Sequence, residues 1–298
     1  YVELKIIDTS PKWQAVFSNP TVTTETSADS SSFKPLCLKD EKLQKIYNVG
    51  IKTLADCMQD VFEDGPKRDR RLWLGDLRLQ ALADYASFDN TALVKRCLYL
   101  FAGMTTKEGK ISANVFVQPK NIPDDTFLFE YSLFFISVLY DLHQAHPDEN
   151  LVRELYPIAK KQIDLSLQMF DKDGKLIPDE DYPVFVDWSN EFNKDTAGQA
   201  EMIYVLKQFI FLAETIGEPD INFYHEKLTL INRYAKENLY RPERKLFVTG
   251  NEEFNIASQV WMVLAGVMSP EENREIMQTT IPSWSKRRCS YSHEKLLG

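Results

Sequence analysis

Beyond Phe33, apolar side chains recur every three or four positions through nearly the whole chain, the spacing that gathers them on one stripe of an α-helix. Over 38–60 the stripe is Leu38, Leu43, Ile46, Val49, Ile51, Leu54, Ala55 and Met58, with Lys39, Asp40, Lys42 and Lys52 off it, which predicts one long amphipathic helix. Helices over 76–86 and 91–103 follow, the first opening at Asp76 and the second at Thr91 behind Asp89 and Asn90, all competent caps. The same period marks 126–145, 149–170, 195–216, 221–239, 253–267 and 270–280. The helix over 126–145 carries Phe127, Phe129, Tyr131, Leu133, Phe134, Phe135, Val138 and Leu139 and is apolar on almost every side. In water it must be enclosed by other helices, whereas 149–170 is amphipathic, so the pattern predicts an inner and an outer layer.

Two stretches depart from this period. Tyr1–Ile7 alternates apolar and polar residues as a half-buried strand does, and Ala15-Val16-Phe17 begins a second. Residues 18–32 are rich in Ser, Thr and Asn and read as an extended linker, so 1–33 is expected to be the tail of an upstream β domain with its connection. Residues 107–122 also read as extended, and 282–298 as an irregular tail. Loops at 87–90 and 146–148 are tight, whereas 104–125 and 171–194 are long, as in a helical toroid with one functional end.

Composition narrows the functional classes. A length of 298 residues with 44% hydrophobic content suits one large domain. A net charge of −9 argues against a nucleic-acid footprint, and no apolar run approaches a bilayer's thickness, so neither nucleic acid nor membrane is an expected partner. Aromatics at 12% of the chain are enough to line a sugar-stacking cleft as well as a core. Cys37, Cys57, Cys97 and Cys289 are widely spaced and read as buried or free thiols. The four histidines lack ligand spacing, and Asp171-Lys172-Asp173-Gly174 lacks the bidentate Glu of a calcium loop, so no metal and no cofactor are expected. The chain opens with neither Met nor a signal peptide, and is expected to be a piece of a longer parent whose compartment stays open.

Candidate chemistry concentrates in 63–76, Glu-Asp-Gly-Pro-Lys-Arg-Asp-Arg-Arg-Leu-Trp-Leu-Gly-Asp, between two helical segments. Gly65-Pro66 breaks the first helix and Gly75 frees the backbone before the next, so Asp64, Asp69 and Asp76 are carried by a turn. This loop resembles the signature of bacterial α-L-rhamnosidases, Asp-Cys-Pro-x-Arg-Glu followed after a short stretch by Gly-Trp-x-Gly-Asp. Asp64, Pro66, Arg68, Trp73, Gly75 and Asp76 match, while Asp69 replaces Glu, Gly65 replaces Cys and Leu72 replaces Gly. Phe185-Val186-Asp187-Trp188 resembles a second family patch, a Gly-Asp-Trp loop, and the likeness runs over most of 34–281.

The resemblance implies an all-α (α/α)6 barrel of six helical hairpins that hydrolyses terminal α-L-rhamnose with inversion. It implies Asp69 as the general acid, with Asp64, Arg68, Trp73, Asp76, Asp187 and Trp188 binding a rhamnose-containing oligosaccharide or glycoside. Like-charged neighbours would raise the proton affinity of such an acid and the arginines would lower it. The family's general base is a Glu beyond the region matched by Ala257-Ser258-Gln259-Val260-Trp261, and the chain ends soon after. About nine of the twelve helices of six hairpins are predicted, so the barrel is expected to be incomplete, with its first and last helices uncovered. Turnover should then be negligible unless Glu130, Glu191, Glu252 or Glu253 serves as base. A six-hairpin enzyme for another sugar, or an inactive carbohydrate-binding barrel, are the rival readings.

Overall fold

The computed structural model describes residues 3–65 and 67–284; Pro66, the start of the Tyr1–Ile7 stretch and residues 285–298 of the expected tail lie outside it. Among the described residues nine α-helices run in the order α1 (Glu41–Cys57), α2 (Leu74–Tyr85), α3 (Thr91–Ala102), α4 (Phe129–Ala145), α5 (Glu149–Leu167), α6 (Asp195–Ile216), α7 (Asn222–Tyr234), α8 (Ile256–Leu264) and α9 (Pro270–Trp284). Helices α2, α4, α6 and α8 pack one on the next, and α3, α5, α7 and α9 lie against them. The layering follows the sequence. Helices α4 and α6 are buried around most of their circumference, whereas α7 buries only Tyr224 and Ile231. Helix α1 buries only Leu54 and Cys57 and leaves Leu43, Ile46 and Val49 exposed, as does α8 with Leu264 and α9 with Ile281. Those are the uncovered first and last faces of an open ring. No helix among the described residues is long and apolar enough to cross a membrane.

Boundaries moved where backbone chemistry overrode periodicity. Helix α1 starts at Glu41 because the Asp40 side chain accepts from the Lys42 and Leu43 N–H groups. Asn90 likewise caps α3 through the Leu93 N–H. Asp76 does not cap α2: the helix begins two residues earlier behind Trp73, and Asp76 sits in its first turn. The helix expected over 221–239 closes as a π-turn, Ala235–Leu239, and the one expected to end at 280 continues through Trp284, into the stretch read as tail.

Residues 3–40 contain no strand. The polar stretch read as an extended linker is docked from Thr26 onward. Thr26 Oγ1 donates to Ala55 O at 2.6 Å, Ser27 Oγ to Gln59 O and Ser32 Oγ to Phe88 O, at the ends of α1 and α2. Its hydroxyls satisfy one carbonyl in the last turn of α1 and two in the loops that follow α1 and α2. Cys57 and Cys97 are buried free thiols and Cys37 is an exposed one.

Three buried glutamines clamp loops to the ring. Gln162 accepts from Ile111 N and donates to Gly109 O, Gln259 brackets both backbone groups of Phe247, and Gln199 accepts from Leu176 N while donating to Gly174 O and Ile231 O. Gly174 can lie there because it has φ +89°; a Cβ would stand 2.9 Å from Leu230 O.

Asp84, at the end of α2, is wholly buried, and among the described residues no group meets its carboxylate at hydrogen-bond geometry. Burial pushes it up to about 6 from 3.8, Asp89 adds to this, and the Asn90 N–H and His146 pull the other way. Between those values the unfolded chain ionises while the folded one keeps its proton, so stability falls as pH rises from 3.8 to about 6. Asp84→Asn is expected to remove that fall and to gain on the order of 2 kcal/mol at pH 7, with no difference below pH ~3.8. Urea titrations at both pH values check it, and equal stability at pH 7 would refute it.

Candidate active site

The loop after α1 is pinned at its neck. Asp64 N donates to Arg71 O at 3.0 Å and Arg71 N to Asp64 Oδ1 at 3.2 Å, so 65–70 projects as a turn closed by Arg68 N to Gly65 O. The Asp64 side chain is 2% exposed, and its Oδ2, 3.8 Å from Arg68 Nε, makes no hydrogen bond among the described residues. Beyond the neck, strand β1 (Leu72–Trp73) pairs antiparallel with β2 (Asn114–Phe116), which pairs with β3 (Ile122–Pro123). Trp73 lies opposite Asn114, and Leu74 N donates to Ala113 O at 3.0 Å as α2 begins. The first turn of α2 thus places Asp76 near Asp64. Burial raises the Asp76 pKa and the Asp64 charge raises it further, with Arg68 opposing.

Aromatic rings connect this loop to the one before α6. Trp73 meets Tyr131 of α4 edge-on at 6.2 Å, Tyr131 meets Phe185 at 5.9 Å, and Phe185 meets Trp188 at 5.0 Å. Gly75 permits this approach, since a Cβ there would stand 2.8 Å from Tyr131 Cζ. Burial, and then the Asp76 charge, raise the Tyr131 pKa. Sequence reasoning counted Tyr131 and Phe185 as packing or flanking residues. A Tyr inside a run of Phe on an inner helix was the available signal, because a buried phenol needs a use for its hydroxyl.

Arg71 buttresses the loop from the other side, its guanidinium 4.0 Å over the Phe116 ring and 4.0 Å from Asp124 Oδ2. Burial works to raise Asp124, yet hydrogen bonds from Asn114 and Thr126 and the Arg71 charge outweigh it, and its pKa is lowered.

The sequence candidates are therefore only partly assembled. Asp64, Arg68 and Asp76 interact electrostatically, and Trp73 and Trp188 lie at the two ends of the aromatic chain. Asp69 is exposed on the turn, and no hydrogen bond or ion pair among the described residues joins it to the others. Asp187 spends its Oδ1 on Ser189 N at 2.7 Å, and its carbonyl accepts from Lys194 Nζ. Trp188 is 73% exposed, free to meet a ligand face.

The glutamates raised as substitute bases fare differently. Glu130 is buried with backbone N–H groups on its carboxylate, Glu252 is paired with Arg241, and Glu253 accepts from Asn193 N and Asn255 Nδ2. Glu191 is exposed. Glu201 of α6 is wholly buried, and burial followed by the Glu130 charge pushes it well above the carboxylate range. Among the described residues no cluster of three His, Cys, Asp or Glu could hold a metal ion.

An open ring of inner and outer helices, with carboxylates and aromatic rings gathered where long loops meet, defines a helical-barrel domain. The family model for the bacterial α-L-rhamnosidase six-hairpin glycosidase domain matches residues 32–281, and the chain belongs to that family. It is similar to a rhamnosidase from Klebsiella oxytoca solved with rhamnose bound, at 46% identity and TM-score 0.82, over 88% of this chain and 50% of that one. The chain thus spans about half the length of that relative. A GH78 family rhamnosidase of Bacillus sp. GL1 shares the fold at 20% identity and TM-score 0.70, covering 80% of this chain and 26% of that one. So does a GH63 mannosylglycerate hydrolase from Thermus thermophilus in complex with glucose, at 13% identity and TM-score 0.59, over 80% and 76%. A comparison with curated proteins found no match.

Proposed function

We propose that the chain forms the sugar-binding and proton-donating part of a glycoside hydrolase that removes terminal α-L-rhamnose with inversion. The observation that carries this is the buried Asp64 carboxylate beside Arg68 and Asp76, at one end of an aromatic chain, in a sequence 46% identical to an enzyme solved with rhamnose bound. Asp64 and Asp76 accept from sugar hydroxyls, Arg68 balances their charge, and Trp73 and Trp188 present ring faces to the apolar side of the pyranose. Asp187 contributes from the second loop.

Asp69 is the proton donor in this reading, on the strength of its position in the motif; its carboxylate is exposed on the turn. Asp76 favours a second assignment, because its raised proton affinity is what an acid working near neutrality requires. Asp69→Asn and Asp76→Asn separate the two once azide is supplied as the nucleophile in place of base-activated water: the donor's variant then loses turnover on poor leaving groups far more than on activated aryl ones.

Inversion needs a second carboxylate that activates water from the opposite face. With Glu130, Glu252 and Glu253 engaged, the chain is expected to bind L-rhamnose yet to turn over aryl α-L-rhamnosides at a negligible rate. Titration calorimetry with L-rhamnose, L-fucose and D-mannose, beside an aryl glycoside panel, tests this. Tighter binding of another sugar would move the specificity, robust rhamnoside turnover would make Glu191 the first residue to replace, and no sugar binding would refute the site.

A further inference from the structure

We propose that Glu130 is a positioning residue whose carboxylate, set in the first turn of α4, holds the loop 183–188 in the geometry that brings Asp187 and Trp188 to the sugar. The proposal rests on the reading of that loop as a sugar contact.

The loop is fastened to the start of α4 from both directions. Phe129 N donates to Pro183 O at 3.0 Å. Phe185 N donates to both Glu130 oxygens, at 3.1 and 3.0 Å, and Val186 N donates to Glu130 Oε1 at 2.6 Å. What these bonds hold is a strained turn. Val186 has φ +56°, and Asp187 N reaches back to Phe185 O at 2.6 Å, a three-residue turn of the positive-φ kind. A β-branched residue in that region is an outlier that persists only where its surroundings over-determine it. The turn bends the chain between Phe185, whose ring touches Tyr131, and Asp187-Trp188. Strain and fastening therefore coincide at the hinge of the second site loop.

Glu130 is 1% exposed, and the cation that acts on it, Lys194, donates to the Asp187 carbonyl of the same loop. Burial raises the Glu130 pKa, and the N–H groups of Phe185, Glu130 itself and Val186, followed by the Lys194 charge, pull it back. A carboxylate is a poor filler for such a site, because an apolar side chain would pack there without desolvating a charge. Two converging backbone donors, one of them shared between both oxygens, are the use the structure gives it. The same burial keeps it from activating a water.

Glu130→Gln keeps the volume but offers one acceptor and turns an amide NH2 toward the second donor; Glu130→Asp keeps the acceptors on a shorter arm. Hydrogen exchange across 183–188 and calorimetry with L-rhamnose are to be measured on both, with Asp187→Ala as reference and α6 amides as the control for intact folding. Glu130→Gln is expected to speed exchange at Phe185 and Val186 about tenfold or more and to weaken rhamnose about tenfold, α6 unchanged, with Glu130→Asp intermediate. Should Glu130→Gln fail to fold, Glu130→Asp carries the test. Wild-type protection of the loop in the folded variants overturns the proposal. So does undiminished rhamnose affinity in them when Asp187→Ala loses it. Wild-type affinity in Asp187→Ala and Trp188→Ala overturns the sugar-contact reading instead, and with it the functional half of the proposal, while the exchange rates still judge the fastening.

Discussion

Asp64→Asn is expected to weaken L-rhamnose binding about 30-fold while leaving the domain folded. Its carboxylate is almost fully buried, one oxygen takes the Arg71 N–H, and the other faces Arg68 without a hydrogen bond. A hydrogen bond from a sugar hydroxyl to that charged oxygen contributes about 1.5–3 kcal/mol. The Asn variant keeps the neck of the loop, since its carbonyl can still accept from Arg71, but it removes the charge that Arg68 balances and that raises Asp76. Lowered proton affinity at Asp76 should accompany the loss. Calorimetry reads the first effect and the carboxyl carbon's NMR titration the second. Binding within threefold of wild type would remove Asp64 from the site.

Gln199→Leu is expected to destabilise the domain by about 3 kcal/mol, among the largest losses for a near-isosteric change. The side chain is 1% exposed and answers three backbone groups: the Leu176 N–H and the carbonyls of Gly174 and Ile231. Leucine fills the space but leaves the Leu176 N–H and the Gly174 carbonyl without a partner, at roughly 1–3 kcal/mol each, partly offset by the apolar surface it buries; the Ile231 carbonyl keeps the Ala235 N–H. Because the two carbonyls belong to the turn after α5 and to α7, the variant should also loosen the packing of α7 on α6. Urea denaturation with an unchanged m-value measures the first, and faster exchange in α7 the second. A midpoint shift under about 0.5 kcal/mol would show that water or a rearranged turn replaces the clamp.

Helices were legible in the sequence because burial of a stripe is a local, periodic demand. Asp195–Ile216 stands where its period placed it, and α4 was identified as an inner helix from its all-round apolarity. Ends were less legible wherever a partner distant in sequence decided them. Helix α2 starts at Leu74, not Asp76, because β1 leads into it and Leu74 N pairs with Ala113 O, a contact no local pattern encodes. The alternation over Tyr1–Ile7 signals a face to bury, yet no strand forms in residues 3–40, since a strand also needs a ladder to join.

The site divided in the same way. Asp64, Arg68, Trp73 and Asp76 are close in sequence, so a single turn gathers them, and the motif that singled them out is that turn's signature. Tyr131, Glu130 and Phe185 come from other elements: the period makes Tyr131 part of an inner helix, Glu130 enters only as a substitute base and Phe185 only as the start of the second patch, so nothing local joins them to the first loop. Asp69 is the opposite case: a motif position names it, while the fold shows only an exposed carboxylate on the turn.

The small β1–β2–β3 sheet makes the Trp73 indole a follower of a segment some forty residues later in the chain. Leu72 and Trp73 are in register with Val115 and Asn114, and β3 fixes the far edge of the same ladder at Pro123 and Ile122. Lengthening or shortening the connection at 117–121 would thus swing the Trp73 ring without replacing Asp64, Arg68 or Asp76. Under the proposed sugar-binding reading, preference for one glycan over another would drift through that hairpin with every proposed sugar-contacting carboxylate still present in the sequence.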